Sequence, residues 1–167
     1  MTVPPSGAAA PTSGRAAGLR TAIATVCLSG TLEDKLAAAA TAGFDGVEIF
    51  EPDFVAAPWS ASELRARCAD LGLSIDLYQP FRDFDADDPD VYAANLRRAE
   101  RKFDVMEQLG TDLVLVCSSV SAHALDDDAR IAEQLHVLAG RAAARGLRIS
   151  YEALAWVRYV NTYDRSW

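Results

Sequence analysis

The chain has 167 residues, of which 50% are hydrophobic and 24% are charged, and its formal net charge is −8 at pH 7. This composition is typical of a globular domain, and the acidic balance argues against nucleic acid or an anionic membrane as a partner. No apolar stretch reaches the roughly 20 residues that span a bilayer, so we expect a cytoplasmic protein without membrane contact. A small anionic substrate is compatible with the net charge, because a local arginine can outweigh it.

The first predicted segment is MTVPPSGAAAPTSGRAAG, residues 1–18, which is rich in Pro, Ser, Gly and Ala and carries one charge, Arg15. It lacks the continuous apolar core of a signal peptide, and we interpret it as a disordered leader. The domain is then expected to occupy residues 19–167. Cys27, Cys68 and Cys117 lie far apart in apolar runs, so we expect reduced, packed thiols.

The first predicted strand lies in RTAIATVCLS, and four more strands follow glycines that close helix-like stretches. These glycines suit the left-handed position that ends a helix: Gly43, Gly72, Gly110 and Gly146. The runs that follow are apolar on both faces, as at Val47 and Ile49. That pattern is typical of parallel strands covered on two sides.

The intervening stretches have apolar residues at helical spacing. Ser60 and Glu63 have the spacing of a capping box at the start of one helix. The apolar positions of the next two helices are Tyr92, Leu96, Ala99, Phe103 and Met106, and then Ile131, Leu135, Leu138 and Ala142. The predicted order β-α-β-α-β-α-β-α-β implies a parallel sheet with right-handed crossovers.

Two architectures satisfy this order. A doubly wound open sheet of five strands fits about 150 residues, but it usually carries a glycine-rich loop after the first strand. The corresponding stretch, CLSGTLEDK, has a lone glycine, Gly30, and supports nucleotide binding poorly. A (β/α)8 barrel needs about 250 residues, so the chain would hold only five strands and four helices of it.

Polar residues follow the predicted strands, where parallel α/β folds place their reacting groups. Glu152 lies inside an apolar run, and a carboxylate buried there needs a cation, a positive partner or a raised pKa. Glu48 lies inside GVEIF and either serves a site or anchors backbone amides. Arg82 follows Gln79 in QPFRD and suits bidentate capture of a substrate carboxylate. A salt bridge from Arg82 to a neighbouring aspartate is the alternative.

The remaining polar residues give weaker signals. The run Asp126-Asp127-Asp128 is expected to cap the following helix. His136 is expected to face solvent, and His123 is a weak candidate in a loop. The sequence contains no Ser-His-Asp arrangement, CxxC pair or phosphate-binding loop.

Five motifs carry a resemblance to a known family: IATVCLSGTLEDKL, AGFDGVEIFEPD, QPFRDF, RRAERKFDVMEQLGTDLVLVCSS and YEALAW with VNTY. They closely resemble bacterial 3-dehydroshikimate dehydratases of the sugar phosphate isomerase/epimerase, xylose isomerase-like superfamily, from about Thr21 to Trp167. The resemblance implies a (β/α)8 TIM barrel of which this chain is the N-terminal part. It also implies dehydration of 3-dehydroshikimate to protocatechuate in aromatic catabolism, with one divalent metal (Mg, Mn or Co) polarising the substrate.

The resemblance assigns residues as well. The first metal ligand of the family is the glutamate of YEALAW, which is Glu152 here. Gln79 and Arg82 match QPFRD and are expected to contact the substrate, and Glu48 is a third candidate for that contact. The family's other metal ligands and its catalytic histidine lie on later strands, so we expect a fragment that is inactive alone and whose catalytic residue is unknown.

Other features of the resemblance leave choices open. Val157 and Tyr159 stand where the family usually has Gly and His. Some relatives carry a fused C-terminal 4-hydroxyphenylpyruvate dioxygenase-like domain, and homo-oligomers are also compatible with the sequence. A sugar phosphate isomerase or epimerase that uses the same metal site is one alternative function, and a non-catalytic binding or assembly module is another.

Overall fold

The computed structural model describes residues 18–166. The predicted leader at residues 1–18 therefore lies outside the described residues except for Gly18, as does Trp167. The strands are β1 (Ala22–Ala24), β2 (Gly46–Phe50), β3 (Ser74–Phe81), β4 (Leu113–Cys117) and β5 (Arg148–Glu152). The helices are α1 (Leu32–Thr41), α2 (Glu51–Ala56), α3 (Ala61–Asp70), α4 (Pro89–Leu109), α5 (Asp128–Ala143) and α6 (Tyr163–Ser166).

The five strands form one parallel sheet in the order β1-β2-β3-β4-β5, so each strand pairs with the next one along the chain. A doubly wound sheet reverses its strand order at a switch point, whereas a (β/α)8 barrel adds its strands sequentially. The strand order therefore confirms the prediction of the first five strands of a barrel. In the described part of the chain, β1 and β5 are the outer strands of the sheet.

The helix predictions hold, with two additions. The four predicted helices are α1, α3, α4 and α5, while α2 and α6 are short helices that the apolar pattern did not predict. A 3₁₀ turn (Thr25–Cys27) also shortens β1 relative to the predicted run. The capping box at Ser60 forms, and its hydroxyl accepts from the Glu63 amide. The four predicted glycines have φ between 71° and 81°.

One face of the sheet packs against the helices. Val47, Ile49, Val114 and Val116 are fully buried there. The helices contribute a continuous apolar core from their predicted faces, including Leu36, Leu64, Phe103, Met106 and Leu138. Since strand residues alternate between faces, Glu48 and Cys117 lie on the opposite face, which is the inner face of a barrel.

One burial prediction was wrong. Cys27 is exposed, because the chain leaves β1 at Ala24 and the 3₁₀ turn carries the thiol outward. Cys68 and Cys117 are buried and unpaired, as expected. No helix within residues 18–166 is long and apolar enough to cross a membrane.

Candidate active site at the carboxyl edge of the sheet

The first part of the candidate site joins β2 to β3. The Gln79 amide Nε2 donates a hydrogen bond to Glu48 Oε2 at 2.7 Å, and both side chains are half-buried. Burial raises the pKa of Glu48, and the negative charges of Asp76 and Glu152 raise it further, while the bond from Gln79 acts in the opposite direction. Glu48 is thus a carboxyl group that binds protons more readily than an exposed glutamate.

The second part joins β4 to β5. Cys117 is the register partner of Glu152, and its thiol Sγ lies 3.8 Å from Glu152 Oε2. Burial raises the pKa of Cys117 to about 11, and Glu152 adds to this rise, whereas the positive charge of Arg82 opposes it. These electrostatic effects place Arg82, Cys117 and Glu152 in one neighbourhood.

Glu152 differs from the sequence-based expectation of a buried carboxylate. Glu152 is exposed, because it lies at the end of the outer strand β5 and its side chain points to the inner face. Its backbone is held, since the Ser118 amide donates to the Glu152 carbonyl at 2.9 Å. Leu154 continues this contact by donating its amide to the Ser118 hydroxyl at 2.9 Å. The carboxylate is therefore accessible on an ordered backbone.

Arg82 is exposed, and the alternative salt bridge to a neighbouring aspartate does not form. The Asp83 carboxylate instead accepts hydrogen bonds from the amides of Val120 and Ser121, at 2.9 and 3.1 Å. The Asp85 carboxylate accepts from the Leu125 amide at 3.0 Å. Within residues 18–166, Arg82 makes no ion pair, and its guanidinium can meet an anionic ligand.

The structure therefore brings all four predicted site residues to one edge of the sheet: Glu48, Gln79, Arg82 and Glu152. Cys117, which was expected only as a packed thiol, lies at the same edge. The parallel register could have found it, because Cys117 ends β4 at the level where Glu152 ends β5. Asp83 was also missed as a residue of the site. Its φ of 55° has no sequence signature comparable to a glycine.

The remaining predicted residues lie away from this cluster. His136 is exposed, as predicted, and His123 contacts Asp87 in an exposed loop at 3.2 Å. Asp127 caps α5 by accepting from the Arg130 amide, which confirms the capping role. Val157 is buried beside Leu154 and Cys117 in a small cluster on the inner side.

The described residues do not form a complete metal site. No group of three His, Cys, Asp or Glu side chains within residues 18–166 is arranged to hold a metal ion. Glu152 can supply one accessible carboxylate, whereas a hard divalent cation requires about six oxygen ligands. One surface pocket lies beside Glu152 and is also lined by Tyr151, Ala153, Tyr163 and Ser166. Another, lined by residues between Gly30 and Trp59, lies beside α1 and α2, away from the cluster.

Comparison with known proteins places this geometry in a family. The model of the xylose isomerase-like TIM barrel family matches residues 36–167. The chain is 59% identical over 149 residues to the 3-dehydroshikimate dehydratase of Pseudomonas aeruginosa, covering 89% of this chain and 24% of that enzyme. The chain thus spans about a quarter of the length of that relative.

Solved structures agree on the fold. A xylose isomerase-like TIM barrel/4-hydroxyphenylpyruvate dioxygenase fusion protein matches with a TM-score of 0.86 and 56% identity, over 89% of this chain and 24% of that chain. The IOLI protein with a bound zinc atom matches with a TM-score of 0.75 and 16% identity, over 89% of this chain and 56% of that one, which shows the fold alone. The sequential parallel strands, the matched family model and these similarities show that the chain belongs to the xylose isomerase-like TIM barrel family.

Proposed function

We propose that the chain is part of a lyase that dehydrates 3-dehydroshikimate to protocatechuate in aromatic compound catabolism. The observation that carries this proposal is the 59% identity to a curated 3-dehydroshikimate dehydratase, which extends over 149 residues. The matching family model spans residues 36–167, which hold Glu48, Gln79, Arg82 and Glu152. Fold similarity alone would not select a reaction, because one barrel supports many chemistries.

The charges at the carboxyl edge support an anionic substrate. Arg82 is exposed and unpaired within residues 18–166, so its planar fork can bind a carboxylate through two parallel hydrogen bonds. The net charge of −8 would repel an anion at long range. A local guanidinium is therefore needed to bind it, and we assign the substrate carboxylate to Arg82.

Glu48 and Gln79 form the neighbouring polar surface. The Gln79 amide uses one N–H on Glu48, which leaves its second N–H and its carbonyl oxygen for a ligand. Glu48 Oε1 has no hydrogen bond within the described part of the chain and can accept one from a substrate hydroxyl. We propose that this pair orients the ring hydroxyls while Arg82 holds the carboxylate.

We also propose that the protein binds a divalent metal, and Glu152 is the ligand that the described residues can supply. The zinc atom in the similar fold of the IOLI protein supports a divalent metal in this family. We propose that Glu152 supplies one carboxylate ligand and that the described residues do not supply the others.

The fusion protein also supports a proposal about the longer protein. Its matched part is 24% of its chain, and its description includes a 4-hydroxyphenylpyruvate dioxygenase part. We propose that the full-length protein can carry such a C-terminal domain. A homo-oligomer and a cytoplasmic location stay predictions.

The test is an assay of the purified full-length protein. It should convert 3-dehydroshikimate to protocatechuate, followed by the ultraviolet absorbance of the aromatic product and confirmed by chromatography. A matched reaction with ketose substrates tests the isomerase or epimerase alternative. Turnover of a ketose without turnover of 3-dehydroshikimate would replace the proposed function. Inactivity on both, with intact folding, would favour a binding module.

A further inference from the structure

One face of α4 binds the loop that carries Arg82. Asn95, Arg98 and Lys102 follow one another at spacings of three and four, so they share one face of the helix. Two of them donate to backbone carbonyls at the end of β3 and in the loop after it: the Lys102 ammonium to Pro80, at 3.3 Å, and the Asn95 amide to Phe84, at 3.0 Å. The helix thus positions the backbone of this loop.

Arg98 lies between Asn95 and Lys102 on this face of α4. Its Nη2 donates to the Arg82 carbonyl at 3.1 Å, and its Nη1 donates to the Asp83 carbonyl at 3.3 Å. Nη1 also donates to Asn95 Oδ1 at 2.8 Å. The guanidinium is half-buried and lies over the Phe81 ring at 5.3 Å.

The absence of a carboxylate partner makes this arrangement informative. Within residues 18–166, Arg98 makes no ion pair, although α4 and its neighbours carry many acids. Its fork instead spans two consecutive carbonyls, a geometry that a lysine cannot reproduce with one point charge. The same loop is held from its other side, where Asp83 accepts from Ser119 Oγ at 3.2 Å. The backbone of Arg82 is therefore fixed, while its side chain is exposed.

We propose that Arg98 is a positioning residue that holds the backbone of Arg82 so that the Arg82 guanidinium meets the substrate carboxylate. This inference rests on the proposed function, because that function assigns the carboxylate to Arg82. Arg98 itself does not touch the substrate. Its contribution is to remove conformational freedom from the loop before binding, which improves binding without a new contact to the ligand.

The kinetic test is a double-mutant cycle in the full-length enzyme with 3-dehydroshikimate. Arg98→Ala is expected to lower kcat/KM by about 10- to 100-fold, which is the scale of a misplacement away from the chemistry. The change should lie mainly in KM, because a binding contact is displaced. Arg98→Lys should recover part of the loss. Arg97→Ala is the matched control, since Arg97 is the exposed neighbour on α4 and its side chain makes no hydrogen bond or ion pair to another described residue.

The Arg82→Ala background separates positioning from general stability. If Arg98 acts through Arg82, adding Arg98→Ala to Arg82→Ala should change kcat/KM by less than about twofold, the usual error of additivity. An equal loss in both backgrounds would overturn the proposal, as would an Arg98→Ala enzyme that matches Arg97→Ala. If Arg98→Ala does not fold, Arg98→Lys takes its place in the same cycle.

Hydrogen exchange distinguishes failure of this inference from failure of the proposed function. Wild-type protein that does not turn over 3-dehydroshikimate defeats the proposed function alone. The loop is then tested without substrate: exchange in the peptide that covers residues 81–86 should be faster in Arg98→Ala than in Arg97→Ala, with exchange in β4 unchanged. Equal exchange in the two variants overturns the positioning role.

Discussion

The two ends of the sheet treat their charges differently. At the amino end, Arg20 binds the Asp76 carboxylate at 2.9 Å and the Ser74 hydroxyl at 2.7 Å. Arg148 likewise binds Asp112 at 2.9 Å. This packing also explains the glycine at position 46, because a Cβ on Gly46 would collide with the Asp76 carboxylate and the Ser74 hydroxyl. The charges named at this end have opposite partners.

At the carboxyl end, Glu51 pairs with Lys102, but the charged residues of the candidate site lack such partners. Within residues 18–166, Glu48, Arg82 and Glu152 form no ion pairs, although they line one edge. Glu48 is partly buried, where an unpaired charge is unfavourable for stability, whereas Arg82 and Glu152 are exposed. A cluster of charges held together without protein partners is a candidate place for a ligand. This difference supports the proposal of a site at the carboxyl end and a structural role for the charges at the amino end.

The largest expected effect concerns residues 1–167 expressed alone. This polypeptide should keep the paired amino end yet bind metal weakly and turn over no 3-dehydroshikimate, because the described residues form no complete metal site. It should also self-associate, since β1 and β5 leave edges that can pair with other copies. Light scattering after size exclusion, metal content and the product assay measure these properties. A monomer that binds one metal and is active would contradict the expectation.

Glu152→Gln in the full-length enzyme should have the next largest effect. The substitution keeps the shape of the side chain but removes the negative charge of the proposed metal ligand. Metal affinity and activity should therefore fall by more than about 10- to 100-fold, the loss that is typical when a residue supporting a ligand is changed. Metal titration and the product assay test this. Asp112→Asn is the matched control at the amino end, where loss of an exposed pair should change neither measurement. Unchanged metal titration in Glu152→Gln would show that Glu152 is structural.

Arg82→Ala should cost about 2–5 kcal/mol of substrate binding or transition-state stabilisation, as for a truncated charge pair. Arg82→Lys should recover only part, because the bidentate fork is lost. Steady-state kinetics measure both. Arg20→Ala is the control: it removes an exposed ion pair and should cost at most about 1 kcal/mol of stability, with kcat/KM unchanged. If Arg82→Ala changes only the melting temperature, the substrate role is excluded.

The fold could be predicted because its signals are local. Glycines after helices, apolar runs covered on both faces and helical spacing predicted five strands and four helices. The 3₁₀ turn after Ala24 and the helices α2 and α6 have no comparable pattern, because each contains only one turn or two. Cys27 was misplaced for this reason.

The site could be predicted only in part. Glu48, Gln79, Arg82 and Glu152 share one edge because parallel strands end together, which is a rule of topology. Which side chains touch depends on register and loop path, and these are long-range properties. The bond between Gln79 and Glu48 spans 31 residues, and the contact of Cys117 with Glu152 spans 35. The hydrogen bond from Arg98 to the Arg82 carbonyl likewise could not be predicted from the sequence.

The smallest expected effect is on the pKa of a buried thiol. Comparing Cys117 with Cys68 tests whether the negative charge of Glu152 raises the pKa of Cys117. Burial alone raises the pKa of Cys68 to about 11. Burial also raises the pKa of Cys117 to about 11, but Glu152 contributes to that rise. Glu152→Gln should therefore lower the pKa of Cys117 and leave that of Cys68 unchanged. Since the thiolate is the reactive form, alkylation of Cys117 should become faster at a given pH.

The measurement is timed alkylation of metal-free full-length protein from about pH 8 to about pH 11, with each cysteine peptide followed by mass spectrometry.

The raised pKa of Cys117 also makes the stability of the folded protein depend on pH. A folded-state pKa above the ordinary value of 9.0 means that the folded protein favours the neutral thiol, so this contribution is present below pH 9 and is lost as the pH rises toward about 11. Glu152→Gln should reduce that loss. A parallel acceleration of Cys68 would indicate loosened packing rather than a changed field, and equal rates before and after the substitution would show that Glu152 does not act on the Cys117 thiol.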